Sequence, residues 1–481
     1  MRLIHLTGRI TKEPNDFINQ HILEPHFAFE LEHLTNHYIE IELVMNKEYE
    51  RLGLINHKER LALDEALKKV DISVIQADPS QNMSDMSFAI EKFVESQLDS
   101  CVPVRWHSDR SRNDVQSCAQ AMFLKEQVVE LEQKVADLIG ILINRSQEST
   151  KLPLPGKTHY QPAQVITPAF YFLSIVEELT HIRNVLLNVF DYIDQCPLGS
   201  GAMAGLEYAW DRQRMAEELG FRKPKDTALA SIASKQGILE VAAAQGNLGV
   251  LISRLATDLM DWLIDGYIDL PDELSGISSA MPQKKNYPIM ERIRGQNAHM
   301  ISFYTGIALS QKNTPFTNLV ETAKEGGKYV GELFHTSKVN LSLMRIVLEN
   351  LSFIEEKMLD DCAKGFFGGF AFANHLTREY DVPNRKAQSI VGEIIRTAIE
   401  KGVSPSGVEN VLVQEVCHKH GYSIRMDQES ILALFSIPHN VNKQTSGSTN
   451  PASVEALLHE YLAVNHEIGQ RWEKRNHLAK S

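Results

Sequence analysis

Residues 124–142, LKEQVVELEQKVADLIGIL, carry apolar side chains at Leu124, Val128, Leu131, Val135, Leu138 and Leu142. Steps of four and three place all six on one stripe of an α-helix. The same spacing returns in Phe172, Ile175, Leu179, Ile182, Leu186, Val189 and Ile193, and again in Val241, Ala244, Leu248, Leu251, Leu255, Leu259 and Trp262. A fourth stripe, Phe334, Leu341, Met344, Leu348 and Leu351, is interrupted by Ser337, and a weaker pattern covers 290–311. Several stripes of this length predict a helical bundle. A helix of ~25–30 residues runs ~40 Å at ~1.5 Å per residue, so the bundle is elongated. Neither an alternating strand series nor an internal repeat is visible. The expected fold class is all-α.

Proline and glycine cluster at 151–168 (KLPLPGKTHYQPAQVITP), 196–205 (CPLGSGAMAG) and 271–288 (PDELSGISSAMPQKKNYP), which predicts breaks between the long helices. The stretch before about residue 105 is more polar. The tail from about 355 has shorter helical patterns, such as 385–402, and a glycine-rich GFFGGF at 365–370. The expected division is therefore an N-terminal helical domain over 1–105, a central long-helix bundle over 106–355 and a C-terminal helical domain over 356–481.

Composition narrows the classes of function. A chain of 481 residues has room for two to four domains at ~100–200 residues each. With 43% hydrophobic and 23% charged residues, wholesale disorder is excluded. Forty-nine Lys+Arg against 62 Asp+Glu give −13, a poor balance for nonspecific nucleic-acid or anionic-membrane binding, although a local basic pocket stays open. The five cysteines, at 101, 118, 196, 362 and 417, are scattered without CxxC or histidine pairing. They predict no disulfide framework and no structural zinc, and they fit a reducing compartment. The start, MRLIHLTGRITKEP, lacks the apolar run of a signal peptide. The most apolar stretch, 248–264, is broken by Arg254, Asp258 and Asp261. A soluble, cytoplasmic protein is expected.

Four segments hold the polar residues that chemistry needs: HSDRSRND (107–114), KTHYQ (157–161), SSAMPQKKN (278–286) and ETAKEGGK (321–328). Each has a plain structural reading. Ser and Asn before a helix are ordinary N-caps, a lone loop histidine is commonly a surface residue, and a Gly/Ser/Lys loop is commonly hydrated. SSAMPQKKN also lacks the GxxxxGK[ST] frame of a phosphate loop. Taken together, guanidinium forks, amide donors and lysine charge suit an anionic, carboxylate-bearing ligand without naming a reaction.

SSAMPQKKN resembles the GSSxMPxKxNP signature of the fumarase/aspartase superfamily. With HSDRSRND, THYQPAQ, CPLGSGA and the tail motif VPNRKAQSIVGE at 382–393, the set is similar to the argininosuccinate lyase and delta-crystallin branch, in the family's order over about residues 85–405. The resemblance implies an all-α, cofactor-independent homotetramer whose core is formed by associated bundles. It implies a carbon–nitrogen lyase that eliminates an amine from an N-substituted aspartate, argininosuccinate by default, and releases fumarate. In that reading Ser278 is the base, Lys284 lowers its pKa and Asn286 donates to a carboxylate. His159 stands on the leaving-group side with Glu291 as its partner. Ser111, Arg112, Asn113 and Thr158 anchor the succinyl carboxylates, Gln161 also binds substrate, and Lys324 grips the amino-acid portion. No metal and no macromolecular partner is implied.

Helix geometry adds an inference independent of the family. The 107–114 and 157–161 segments flank one helix from Val115 to about Gln147, so they are ~50 Å apart in one subunit. Both reach one small substrate only if different subunits supply them.

The departures gather at the substrate's variable end. Tyr287 then Pro288 replace the signature's final proline. Phe316 and Glu321 stand where argininosuccinate lyases carry Tyr and Gln, Ser234–Gly237 reads SKQG in place of an SERD-like segment, Ser87 replaces a histidine, and no serine matches near Phe27. Glu321 adds negative charge where an α-carboxylate is expected. A lyase for a different N-substituted aspartate, or a non-catalytic crystallin-like protein, therefore remains an alternative reading.

Overall fold

The computed structural model describes residues 9, 12–98 and 101–478. Most of the opening segment on which the leader reading rests lies outside them. The four apolar stripes and the weaker one form five long helices: α1 (Arg112–Glu148), α2 (Pro168–Ile193), α3 (Gln236–Asp265), α4 (Pro288–Gln311) and α5 (Val330–Asn350). Their boundaries follow local chemistry. The Ser111 hydroxyl caps α1 by accepting the Asn113 N–H at 3.2 Å, and Thr167 does the same for Phe170 at 3.1 Å ahead of Pro168. Gly266 ends α3 in the left-handed region at φ 75°, which an L side chain enters only with strain.

The predicted stripes are the core. Val128, Leu131, Val135, Leu138 and Leu142 of α1 pack with Phe172, Leu179 and Leu186 of α2 and with Leu248, Leu255 and Leu259 of α3. This core is continuous with helices of the N-terminal section, Thr35–Arg51, His57–Leu67 and Met86–Gln97. A second core lies within 372–435, built on Phe372, Leu376, Ile390, Ile394 and Ile431. The final helix, α6 (Pro451–Leu478), returns to the bundle, where Trp472 meets Phe190 with ring centroids 5.3 Å apart. Two buried cations of the bundle are matched: Lys125 Nζ is 2.5 Å from Asp194 Oδ1, and Arg183 Nε donates to Glu132 Oε1 at 2.7 Å. Among the described residues no helix is long and apolar enough to cross a membrane.

One expected break is more ordered than its proline content suggests. Within 151–168, β1 (Leu154–Thr158) pairs antiparallel with β2 (Gln161–Ile166). Thr158 faces Gln161, and the two connecting residues, His159 and Tyr160, have φ of 54° and 61°. Positive φ at both central positions defines a type I′ hairpin turn. Its prolines at 155 and 162 obscure the alternation by which strands are read.

At the junction of the N-terminal section with α1, Arg110 and His107 converge on buried Glu42, and Glu91 stands beside both. Burial alone raises the Glu42 carboxyl, but the Arg110 and His107 charges and hydrogen bonds outweigh it and hold the group at about 2. The unfolded carboxyl titrates near 4.5. Stability from this group is thus complete above about pH 4.5 and lost as pH falls toward 2. Glu42→Gln should flatten that acid limb in denaturant melts taken between these pH values.

Candidate active site

The sequence-predicted residues fall into two groups at opposite ends of the bundle. Ser111, Arg112 and Asn113 begin α1. Its 37 residues, at ~1.5 Å each, carry the chain ~55 Å to Glu148. The β1–β2 hairpin follows at the far end. Lys157 Nζ donates there to Asp261 at 2.8 Å and also to Asp265, both near the end of α3.

The signature segment leaves from that same far end. Ile268–Asp269 pairs with Ser352–Phe353 just past α5, and Arg145, near the end of α1, donates to Leu351 O at 2.8 Å. Beyond it, β3 (Gly276–Ile277) and β4 (Lys285–Asn286) pair antiparallel and close the 278–284 loop at its base. Inside the loop, Ser278 Oγ accepts the Met281 N–H at 3.0 Å and Met281 O accepts the Lys284 N–H at 3.0 Å. Lys285 turns away to Asp269, Asp272 and Leu270 O. Tyr287, at the position of the signature's final proline, donates its hydroxyl to Asp269 Oδ1 at 2.8 Å. Asn286 Nδ2 donates to Ile277 O at 3.3 Å. Glu291 lies in the first turn of α4. Thr158, His159, Gln161, Ser278, Lys284, Asn286 and Glu291 therefore share one end.

Lys324 belongs to the other end. It sits in a short helix, Glu321–Glu325, whose Ala323 O accepts the Gln120 Nε2–H at 3.0 Å. Its charge reaches Glu30, whose carboxyl also accepts from Gln116 at 2.7 Å and pairs with His26 at 3.0 Å. Burial raises Glu30, and the His26 hydrogen bond and charge together with Lys324 reverse this, leaving it below its ordinary value.

Among the described residues, the side chains of His159, Lys284, Glu291 and Lys324 make no hydrogen bond or ion pair. The hairpin tip is open, with Tyr160 77% exposed, and Ile277 beside Ser278 is 94% exposed. One chain thus presents two unfinished polar clusters about a helix length apart.

Sequence reasoning missed the groups that hold these clusters in place. Of the two arginines in HSDRSRND, Arg110 is turned inward onto Glu42 and Glu91, so only Arg112 faces the cluster. Arg112 itself pairs with Asp85 at 2.9 Å and lies over the Phe88 ring. Asp109 accepts the N–H groups of Glu207 and Tyr208 and the Trp210 indole N–H. Asp114 Oδ2 accepts the buried N–H groups of Gly199 and Gly201 at 3.0 and 2.9 Å, fixing the loop whose Ala202 O accepts from Asn113 at 3.2 Å. Acids inside the motif were visible in the sequence, but no spacing rule linked them to a glycine loop some 85 residues away. Removing the acceptor strands both donors. Asp114→Ala should therefore cost about 2–4 kcal/mol, read from the urea midpoint at constant slope.

Residues 8–301 match the protein family described as Lyase. The chain is 26% identical over 472 residues to argininosuccinate lyase 1 of Shouchella clausii (strain KSM-K16), spanning 96% of this chain and 94% of that protein. It is 29% identical over 360 residues to the argininosuccinate lyase of Synechococcus sp. (strain JA-3-3Ab), spanning 73% and 72%. The crystal structure of EDDS lyase in complex with formate superimposes with a TM-score of 0.86 at 22% identity over 98% of this chain and 94% of that one. Recombinant class II fumarase from Schistosoma mansoni superimposes with a TM-score of 0.69 at 16% identity, over 86% and 95%.

Proposed function

Because this chain belongs to the lyase family, in the argininosuccinate lyase branch of the fumarase/aspartase superfamily, we propose that it eliminates an amine from an N-substituted aspartate and releases fumarate, with argininosuccinate as the default substrate. The reaction needs a base at the succinyl Cβ and strong donors for the aci-carboxylate formed when the proton leaves. Ser278 takes the Cβ proton. The electron pair moves into the new Cα=Cβ bond, the Cα–N bond breaks, and the departing amine takes up a proton on the side of His159, for which Glu291 is the proposed partner. The observation that carries this reading is the signature loop. Ser278 Oγ already accepts a backbone N–H at 3.0 Å, which favours an alkoxide, and Lys284 in the same seven-residue turn is the cation proposed to lower its pKa. Asn286, Thr158, Gln161, Ser111, Arg112 and Asn113 hold the succinyl carboxylates, and Lys324 holds the leaving half. The chemistry runs on side chains and backbone donors of the protein alone.

The site is composite. The two clusters are separated by the length of α1, and their unpartnered side chains suit completion by neighbouring copies. Exposed apolar residues on the bundle helices, including Ile264, Ile301, Leu309 and Ile346, give an association surface. A homotetramer of antiparallel bundles, located in the cytoplasm, is the assembly we propose.

A second reading concerns the leaving amine. Glu321 is exposed one helical turn before Lys324, and Phe316 nearby is also exposed. A carboxylate at that point repels an α-carboxylate and favours a cationic amine, which points to an N-substituted aspartate other than argininosuccinate. Ultraviolet detection of fumarate across a panel of N-substituted aspartates, argininosuccinate included, tests both. Fumarate from none of them overturns the lyase reading; preference for another member selects the second.

A further inference from the structure

A cavity runs beside α1, lined in part by Ser234, Lys235 and Gly237 of the SKQG segment. Ser117 and Gln120 follow Asn113 by four and seven residues, so they continue its face of the helix toward the middle of the bundle. Across from them stand Lys225, Ser231, Ser234 and Lys235, from the segment leading into α3. The volume of this partly open cavity is ≈ 70 Å³, several times the ~10–15 Å³ that holds one water.

Its charge is unusual for so acidic a chain. Lys235 is only 8% exposed. Its ammonium makes one hydrogen bond, to Gln120 Oε1 at 3.4 Å, and has no carboxylate partner among the described residues. Lys225 points over the Tyr192 ring, 5.2 Å from its centroid, and also lacks an ion pair among the described residues. Among the described residues no Asp or Glu lines the cavity. Burial, with a smaller contribution from Lys225, pushes the Lys235 ammonium down to about 8. Every other buried lysine or arginine singled out above, Lys125, Arg110 and Arg183, meets a carboxylate. A buried cation left without one is costly unless a ligand supplies the opposite charge. Ser117 Oγ, which has no hydrogen bond among the described residues, adds a free donor beside the two ammonium groups.

We propose that this cavity is a binding site for a compact oxyanion, of phosphate or carboxylate type, held between the Lys225 and Lys235 ammonium groups with Ser117 as a hydroxyl donor. None of its lining residues has a role in the proposed lyase step, and the proposal does not depend on that step. Calorimetric titration of the full-length protein with inorganic phosphate, and separately with acetate, tests it. The expected result is saturable binding of at least one anion, one site per chain, weakened about tenfold or more by Lys225→Met and by Lys235→Met. The tighter of the two anions identifies the class of ligand. If Lys235→Met fails to fold, Lys225→Met, in a partly exposed loop, decides alone. Absence of saturable binding by either anion overturns the proposal, as does binding unchanged in Lys225→Met.

Discussion

Ser278→Ala should lower turnover by roughly 100- to 10,000-fold, the range over which a positioned proton acceptor contributes, while melting temperature and assembly stay at wild-type values. The asymmetry follows from what the hydroxyl does in the fold. Its one hydrogen bond among the described residues is acceptance of the Met281 N–H, on an exposed turn where water takes over that donor. No apolar packing is lost, and the β3–β4 pairing that closes the loop is backbone. Steady-state fumarate release alongside a thermal melt separates the two effects. Near-wild-type turnover in this variant would remove Ser278 from the role of base.

The second large effect is a recovery of activity. An Asn113→Ala chain and a Ser278→Ala chain, each inactive alone, should regain about a quarter of wild-type activity once denatured together and reassembled as random hybrids. Asn113 and Ser278 lie at opposite ends of the bundle, so the proposed composite site draws them from different chains. A site is then intact when its α1 end comes from the Ser278→Ala chain and its loop from the Asn113→Ala chain, which occurs in about one site in four at equal mixing. Hybrids verified by mass spectrometry yet as inactive as their parents would sink the shared-site reading. Equilibrium sedimentation showing a fully active monomer would do the same.

Much of the fold was legible because long helices bury their apolar stripes at a fixed period. Leu124 through Leu142 and Val241 through Trp262 became core helices as their spacing required. The hairpin at 154–166 was not legible. Its pairing is set by a two-residue turn with both residues at positive φ, and neither His159 nor Tyr160 is the Asn-Gly or Gly-Gly signal by which such turns are read. For the candidate site, the sequence placed the chemistry-bearing residues in four segments, but their supports are long-range. Asp85 pairs with Arg112 across 27 positions and Asp109 ties down Tyr208 across 99. The buried Glu30 beside Lys324 carried no sequence signal, since a glutamate in an amphipathic N-terminal helix reads as solvated.

By itself, then, the sequence determined the class of fold, the order of its long helices and the residue types offered to a dicarboxylate, since all three are local properties of spacing and side-chain chemistry. Tertiary structure decided which partner each charge meets. Arg110 and Arg112 are two residues apart and chemically alike, yet one is buried against Glu42 and the other reaches the cluster at the start of α1. It also decided that Lys235, one lysine among many in composition, is a buried cation with no carboxylate partner among the described residues. The physical reason is the same in both cases. The state of a charge depends on desolvation and on partners brought from distant parts of the chain, and only the packed fold sets those.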